Sequence, residues 1–214
     1  MRFVIFVFSF VLLLPAFAQD RALETASAPS SIWFAPPGTY TLDPDVVSVT
    51  MAARRFLMSP IRAQFGTVAG GIDVTEASSD QSALTVEIAA GDLVANGSFV
   101  ERMLKGEAFL NVEVHPAISF AIETFTVSDV PATLEGDLTM AGISHPAAFA
   151  TELQSYAIDP ATGALRLRFV AEGELARADW GMTGYRGVVS DTVRIRIEAD
   201  FVRADGTPAN VSAD

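Results

Sequence analysis

Near the end of the chain, Val193, Ile195, Ile197, Ala199 and Phe201 alternate with Arg194, Arg196, Glu198 and Asp200. Successive side chains of an extended strand point to opposite faces, so this run has one apolar face to bury and one polar face for solvent. The pattern recurs upstream. Leu165, Leu167, Phe169 and Ala171 alternate with Arg166, Arg168 and Glu172, and Leu134, Gly136, Leu138 and Met140 alternate with Thr133, Glu135, Asp137 and Thr139. Weaker versions occupy residues 118–122, 84–88 and 65–74. Turn-forming clusters such as Asp129-Val130-Pro131 and Asp159-Pro160-Ala161-Thr162-Gly163 separate the runs. About eight half-apolar strands at short spacing predict an all-β protein, an antiparallel barrel or a sandwich.

One segment departs from the alternation. Within residues 99–109, Phe99, Met103 and Leu104 recur at helical spacing, with Asn96 or Ser98 as N-cap and Gly106 as the stop. A short helix among strands suits a barrel whose mouth is partly covered. Gly66, Gly70 and Gly71 lie inside a strand pattern with no helix after them. They mark bends or bulges rather than a nucleotide-binding loop.

Residues 1–18 read as a signal peptide: Arg2, an apolar run over residues 3–14, and the small-x-small site Ala16-Phe17-Ala18. The run is shorter than the roughly 20 apolar residues a bilayer span needs. The expectation is therefore cleavage near Ala18 and a periplasmic or secreted mature chain. Residues 19–38 read as a flexible leader, 39–204 as one barrel domain and 205–214 as a flexible tail. Cysteine is absent, which removes disulfides and thiolate chemistry together. Cleavage would take away Arg2 and no acid, moving the formal charge from −12 to −13. A surface of that sign repels nucleic acid and anionic lipid headgroups, and the basic residues show no patch in sequence.

Catalytic sets are hard to assemble from what is left. His115 and His145 are the two histidines, and each precedes a proline, a placement that favours extended backbone. Ser144 and His145 are neighbours on a strand, so their side chains diverge, whereas a serine–histidine pair must converge on one point. Asp179 stands between Arg177 and Trp180, and a local Arg177–Asp179 ion pair bracing the barrel end is the expectation there. The reading is a protein that is not an enzyme, with no catalytic residue, no metal ligand and no cofactor.

Three blocks add a resemblance. Glu135-Gly136-Asp137-Leu138-Thr139-Met140-Ala141-Gly142, turning at Gly142 into Ile143-Ser144-His145-Pro146, is followed by Arg177-Ala178-Asp179-Trp180-Gly181-Met182 and preceded by residues 109–120 with Asn111, His115-Pro116 and Phe120. Tyr40-Thr41-Leu42-Asp43-Pro44 and Ile61-Arg62-Ala63-Gln64-Phe65-Gly66 extend the match. Together these resemble the YceI-like family over roughly residues 40 to 203. The resemblance implies a lipocalin-like antiparallel β-barrel of about eight strands, partly covered by one short helix, that binds polyisoprenoids, isoprenoid quinones or similar lipids. Histidines usual in that family fall here on Val46-Val47 (or Asp45-Val46), near Arg54 or Arg55, and on Met103. Headgroup or metal recognition that depends on them is not carried over.

From phase and resemblance together, the expected ligand-binding residues are Met51, Phe56, Phe65, Phe120, Ile122, Phe149, Leu167, Phe169, Trp180 and Ile195. They should line one tunnel holding a long-chain lipid or isoprenoid, with Met51 and Phe56 near one end. Small inward residues such as Gly136, Ala147 and Ala171 could leave that space or close the barrel down. Transient contact with a membrane or membrane proteins, and a homodimer, are compatible partners. The competing reading is a non-enzymatic envelope interaction module with a filled core, anchored by Trp180, Met182 and Tyr185.

Overall fold

The computed structural model describes residues 35–75, 82–125, 132–159 and 162–204. The expected signal peptide, residues 19–34 of the expected leader, the turn at Asp129-Val130-Pro131 and the tail at 205–214 lie outside the described residues. The strands are β1 (Gly38–Leu42), β2 (Ser48–Arg55), β3 (Ile61–Phe65), β4 (Val68–Val74), β5 (Ser82–Ala89), β6 (Val94–Ala95), β7 (Ala117–Phe125), β8 (Ala132–Met140), β9 (Ile143–Ile158), β10 (Leu165–Ala176) and β11 (Val189–Arg203), with helix α1 (Ser98–Lys105) after β6. Their hydrogen-bonded order is β1-β4-β5-β7-β8-β9-β10-β11-β2-β3-β6, and a further β1–β11 pairing closes the ring.

Eleven segments make an eight-stranded antiparallel barrel because three pairs of short strands each act as one bent strand. β1 and β2 flank the turn at residues 43–47, β3 and β4 meet at Gly66-Thr67, and β5 and β6 flank a 3-10 turn at Ala90–Asp92. Long β11 ties the first pair together. Its edge opposite β10 pairs with β2 from Val189 to Glu198 and with β1 from Phe201 to Arg203. Gly70 and Gly71 lie where β4 crowds its neighbours: a Cβ there would sit 2.3 Å from the Thr85 carbonyl oxygen or 2.8 Å from that of Tyr40. The β8–β9 turn is the two-residue Ala141-Gly142, with φ of 50° and 77°, the left-handed pair a type I′ hairpin needs.

Three sequence expectations change in the folded chain. Asp200 sits on the outward phase of β11 yet is 1% exposed. Arg168 grips it through Nε–Oδ1 at 2.7 Å and Nη2–Oδ2 at 2.9 Å, and Arg166 Nη1 reaches Oδ2 at 3.3 Å. Arg166 also donates to Asp43 of the Asp-Pro turn, whose backbone N–H bonds Asp200 O at 2.8 Å. A polar cluster thus covers the outer surface where β1 gives way to β2. The helix spans Ser98–Lys105 with Gly97 as N-cap; its buried face is Val100 and Leu104, whereas Phe99 is 63% exposed. The end of the expected leader is packed: Ala35 is buried, Tyr40 Oη donates to Pro36 O at 2.7 Å, and Arg203 Nη2 to Pro37 O at 3.0 Å.

Two outcomes follow from the Asp43–Arg166–Asp200–Arg168 cluster. Arg168→Ala leaves the buried Asp200 carboxylate with one cation and should lower unfolding free energy by about 1–3 kcal/mol, read by urea denaturation. The hydrogen bond from Arg166, larger than the opposing effect of burial, holds the Asp43 carboxyl below its ordinary value. A depressed folded value means this stabilisation is complete above the unfolded value of about 3.9 and is lost as pH falls through the folded one. Asp43→Asn should therefore be less stable than wild type at neutral pH, with the difference shrinking in melts taken below about pH 4.

Candidate functional site

The inward phases of the strands enclose a cavity of about 190 Å³. Every side of the barrel contributes to it: Val49 and Met51 from β2, Val86 from β5, Phe120 from β7, Phe149 from β9, Phe169 from β10 and Ile195 from β11. Phe120 and Phe149 meet edge to face, with ring centroids 5.2 Å apart, and Phe169 meets Phe201 at 5.9 Å. The Phe120–Phe149 pair fits because two inward positions carry no side chain. A Cβ on Gly173 would lie 2.8 Å from Phe149 Cδ1, and one on Gly136 would lie 2.9 Å from Phe120 Cζ.

The two ends of the barrel differ. At the helix end, Leu104, Phe109 and Leu110 from α1 and the turn after it line the cavity together with Met182 and Val189. At the opposite end, Tyr40, Val74, Leu165 and Leu167 are buried but do not line it, so they fill the barrel there.

Two lining residues carry polar side chains, and both are engaged within the protein. Thr151 Oγ1 donates to Phe149 O at 3.3 Å. Arg177, 4% exposed, donates from Nε to Ser190 O at 3.1 Å, from Nη2 to Val189 O at 3.3 Å, and from Nη1 to Met182 O. Its guanidinium lies 5.5 Å from the Phe109 ring centroid, and burial holds its pKa below the ordinary arginine value. Arg177 thereby braces the loop before β11 against the turn after α1. The expected Arg177–Asp179 pair does not form. Asp179 is exposed to solvent, and the backbone N–H of its neighbour Ala178 donates to Asp191 Oδ1 at 3.1 Å.

Of the ten expected ligand-binding residues, Met51, Phe65, Phe120, Phe149, Phe169 and Ile195 line the cavity. Four do not. Phe56 stands 69% exposed at the β2–β3 hairpin tip, because β2 ends at Arg55 and the alternation ends with it. Trp180 is 2% exposed but buried outside the cavity, where Nε1 donates to Leu138 O at 2.8 Å and the ring packs on His145. Leu167 has the inward phase but belongs to the filled end, one step beyond Phe169. Ile122 is buried against the Gly136 backbone, its Cγ1 2.7 Å from where a Cβ would stand, and does not line the cavity. With Trp180 and Met182 buried, two of the three anchors of the interaction-module reading are not at the surface. Its filled core is contradicted by the cavity.

Sequence reasoning missed the closing residues Leu104, Phe109, Leu110 and Val189. Leu104 carried a signal, its i,i+4 spacing from Val100; the adjacent Phe109-Leu110 has no period to read. His115 also has a packing role, its ring lying where a Cβ on Gly142 would be 2.4 Å away.

A closed antiparallel barrel with an apolar internal cavity and one capped end places the molecule among the small β-barrels with a hollow interior. The YceI-like domain model matches residues 40–201, and the chain belongs to that family. A UPF0312 protein of Serratia proteamaculans is 27% identical over 135 residues, 63% of this chain and 70% of the relative. Among solved structures, BcnA of Burkholderia cenocepacia superposes with a TM-score of 0.61 at 15% identity, covering 74% of this chain and 98% of BcnA. A polyisoprenoid binding domain from Saccharophagus degradans superposes with a TM-score of 0.54 at 11% identity, covering 77% and 98%.

Gly173→Val should cost about 1–3 kcal/mol, because the new side chain meets both the Phe149 ring and the immobile Ala148 carbonyl oxygen, 2.8 Å from a Cβ. A thermal melt reads the loss. Gly91→Ala, where a Cβ meets nothing within 4 Å, should leave the melt unchanged.

Proposed function

We propose that the protein encloses the apolar chain of an amphiphile, of the polyisoprenoid, isoprenoid-quinone or similar lipid kind, and acts as a non-enzymatic carrier or sequestering protein outside the cytoplasm. The observation that carries this reading is the cavity lining. It is apolar on every side, and its two polar side chains already bond to backbone carbonyls. Such a site recognises a ligand by its hydrocarbon chain, and leaves a headgroup to be solvated outside the barrel. The ligand named for the Saccharophagus degradans domain supports the class.

The energetics are adequate without polar contacts. Each 100 Å² of ligand surface covered contributes about 2.5 kcal/mol. An apolar space of this kind gains little from water, so an empty cavity stays dry and receptive. Met51, Met140 and Met182 stand among the lining residues, and methionine's unbranched, soft side chain repacks readily around chains of different shape. The apparent signal peptide supports export, after which the barrel would work in the periplasm or as a secreted protein.

Organic extraction of gently purified protein, followed by mass spectrometry, should recover a stoichiometric long-chain lipid. Phe169→Asp should lose most of it while keeping a β-type circular dichroism spectrum, because an unpaired charge would face the alkyl chain. Repeated recovery of empty wild-type protein from a host rich in quinones and polyprenols would overturn the proposal, as would a folded Phe169→Asp protein with undiminished lipid.

A further inference from the structure

The helix end of the barrel carries an apolar surface that the fold does not use. Phe56, Leu57 and Met58, at the tip of the β2–β3 hairpin, are 69%, 89% and 55% exposed. The Phe56 N–H bonds Val188 O at 2.9 Å, joining the tip to the loop before β11, where Val188 and Tyr185 are 40% and 50% exposed. Leu57 has φ of 55°, a left-handed conformation that glycine or asparagine adopts at less cost. A strained and almost fully solvated leucine contributes nothing to the core, so folding stability does not account for it.

Charge is segregated at the same place. Residues 46–72 contain Arg54, Arg55 and Arg62 and no acid, and residues 180–190 contain Arg186 and no acid, in a chain with 26 acidic and 14 basic residues. Arg54, Arg62 and Arg186 are exposed, whereas Arg55 Nε closes the hairpin through Ser59 O at 3.1 Å. The acids of this end include Glu101, Glu107, Glu113 and Asp179, on α1, the turns after it and the 3-10 segment at Arg177–Trp180. They also include Asp191 at the start of β11 and Glu174 near the end of β10, which shares a surface hollow with Arg62. Net charge alone implies repulsion from anionic headgroups; the fold joins two acid-free segments at the hairpin tip, and the cations there weaken that repulsion locally.

We propose that this end docks on a bilayer surface carrying anionic phospholipid, with Phe56, Leu57 and Met58 entering the interface and Arg54, Arg62 and Arg186 meeting lipid phosphates. Apolar insertion flanked by cations is the combination that holds peripheral proteins on such surfaces. The tip directly adjoins the cavity: Ala53 pairs with Ile61 and Arg55 with Val189, and Ala53, Ile61 and Val189 all line it. Docking would therefore bring the capped end of the cavity to the lipid.

The test is co-flotation of the signal-free chain with phosphatidylcholine–phosphatidylglycerol vesicles and with phosphatidylcholine vesicles. Wild type should float with the mixed vesicles, less at high salt and less with the neutral ones. The Phe56→Ser/Leu57→Ser/Met58→Ser variant should bind about tenfold more weakly with an unchanged melt, and Arg54→Glu/Arg186→Glu should lose the difference between the two vesicle types. Absence of wild-type flotation, or equal flotation of the triple variant, would overturn the proposal. So would wild-type self-association, seen by light scattering and abolished in the triple variant, without flotation: the tip would then bind a second copy of the chain.

Discussion

Closure of the sheet at β11 is the constraint on which the other features depend. A long strand paired with β10 on one edge, and with β2 and then β1 on the other, leaves the inner face of every strand looking at another inner face. Without that shared edge, β1 and β2 would be two short strands separated by an Asp-Pro turn, and the inner face would be open to water. The pairing holds because the turn is bonded to the strand it interrupts: Asp43 N–H to Asp200 O, and both carboxylates to Arg166. Burying Asp200 is costly by itself, but Arg168 supplies a two-point grip and turns a penalty into a register mark for β10 against β11.

Given closure, what the interior becomes is decided by side-chain volume. A barrel of this strand number is just wide enough to be filled by its own residues or to hold one small ligand. Large aromatic residues in the middle layers would ordinarily fill it. Here, glycine at positions 136 and 173 lets Phe120 and Phe149 lie close to the wall, edge to face, and the space they vacate is cavity. At the other end Tyr40, Val74, Leu165 and Leu167 fill the section completely. The result is a pocket closed at one end by core residues and at the other by α1, the turn after it and the loop that Arg177 braces.

Arg177 links these levels. A guanidinium this deep would be hard to keep without partners, and the Asp191 carboxylate acts on it through space only. It is satisfied by the Met182 carbonyl of the loop, by the Val189 and Ser190 carbonyls that open β11, and by the face of Phe109, so it ties the cover of the cavity to the edge of its wall. Its polar capacity is used in holding the closing segments, which leaves the cavity itself apolar. The same arrangement explains why Trp180, three residues on, is buried as a strut against Leu138 and His145 instead of facing a ligand.

Much of this was legible in one dimension. Alternation in β8, β10 and β11 revealed strands with one apolar face, because a period of two is a local property of extended chain. The turn at Gly142 and the stop at Gly106 were readable because glycine is needed by local backbone geometry. Family resemblance named the barrel and, through phase, placed Phe120, Phe149, Phe169 and Ile195 on the cavity. Phase could not distinguish Phe169 from Leu167: both point inward, and whether a layer is filled or hollow depends on what the opposite strands contribute. Nor could it show Asp200 buried on an outward face, since its cover comes from strands far away in sequence, or Arg54 and Arg186 brought to the same end of the barrel by the bond between the hairpin tip and the loop before β11. Local periodicity determined which face of each strand is apolar; only closure of the barrel decided which apolar residues surround empty space and which charges share a surface, because those are relations between segments distant along the chain.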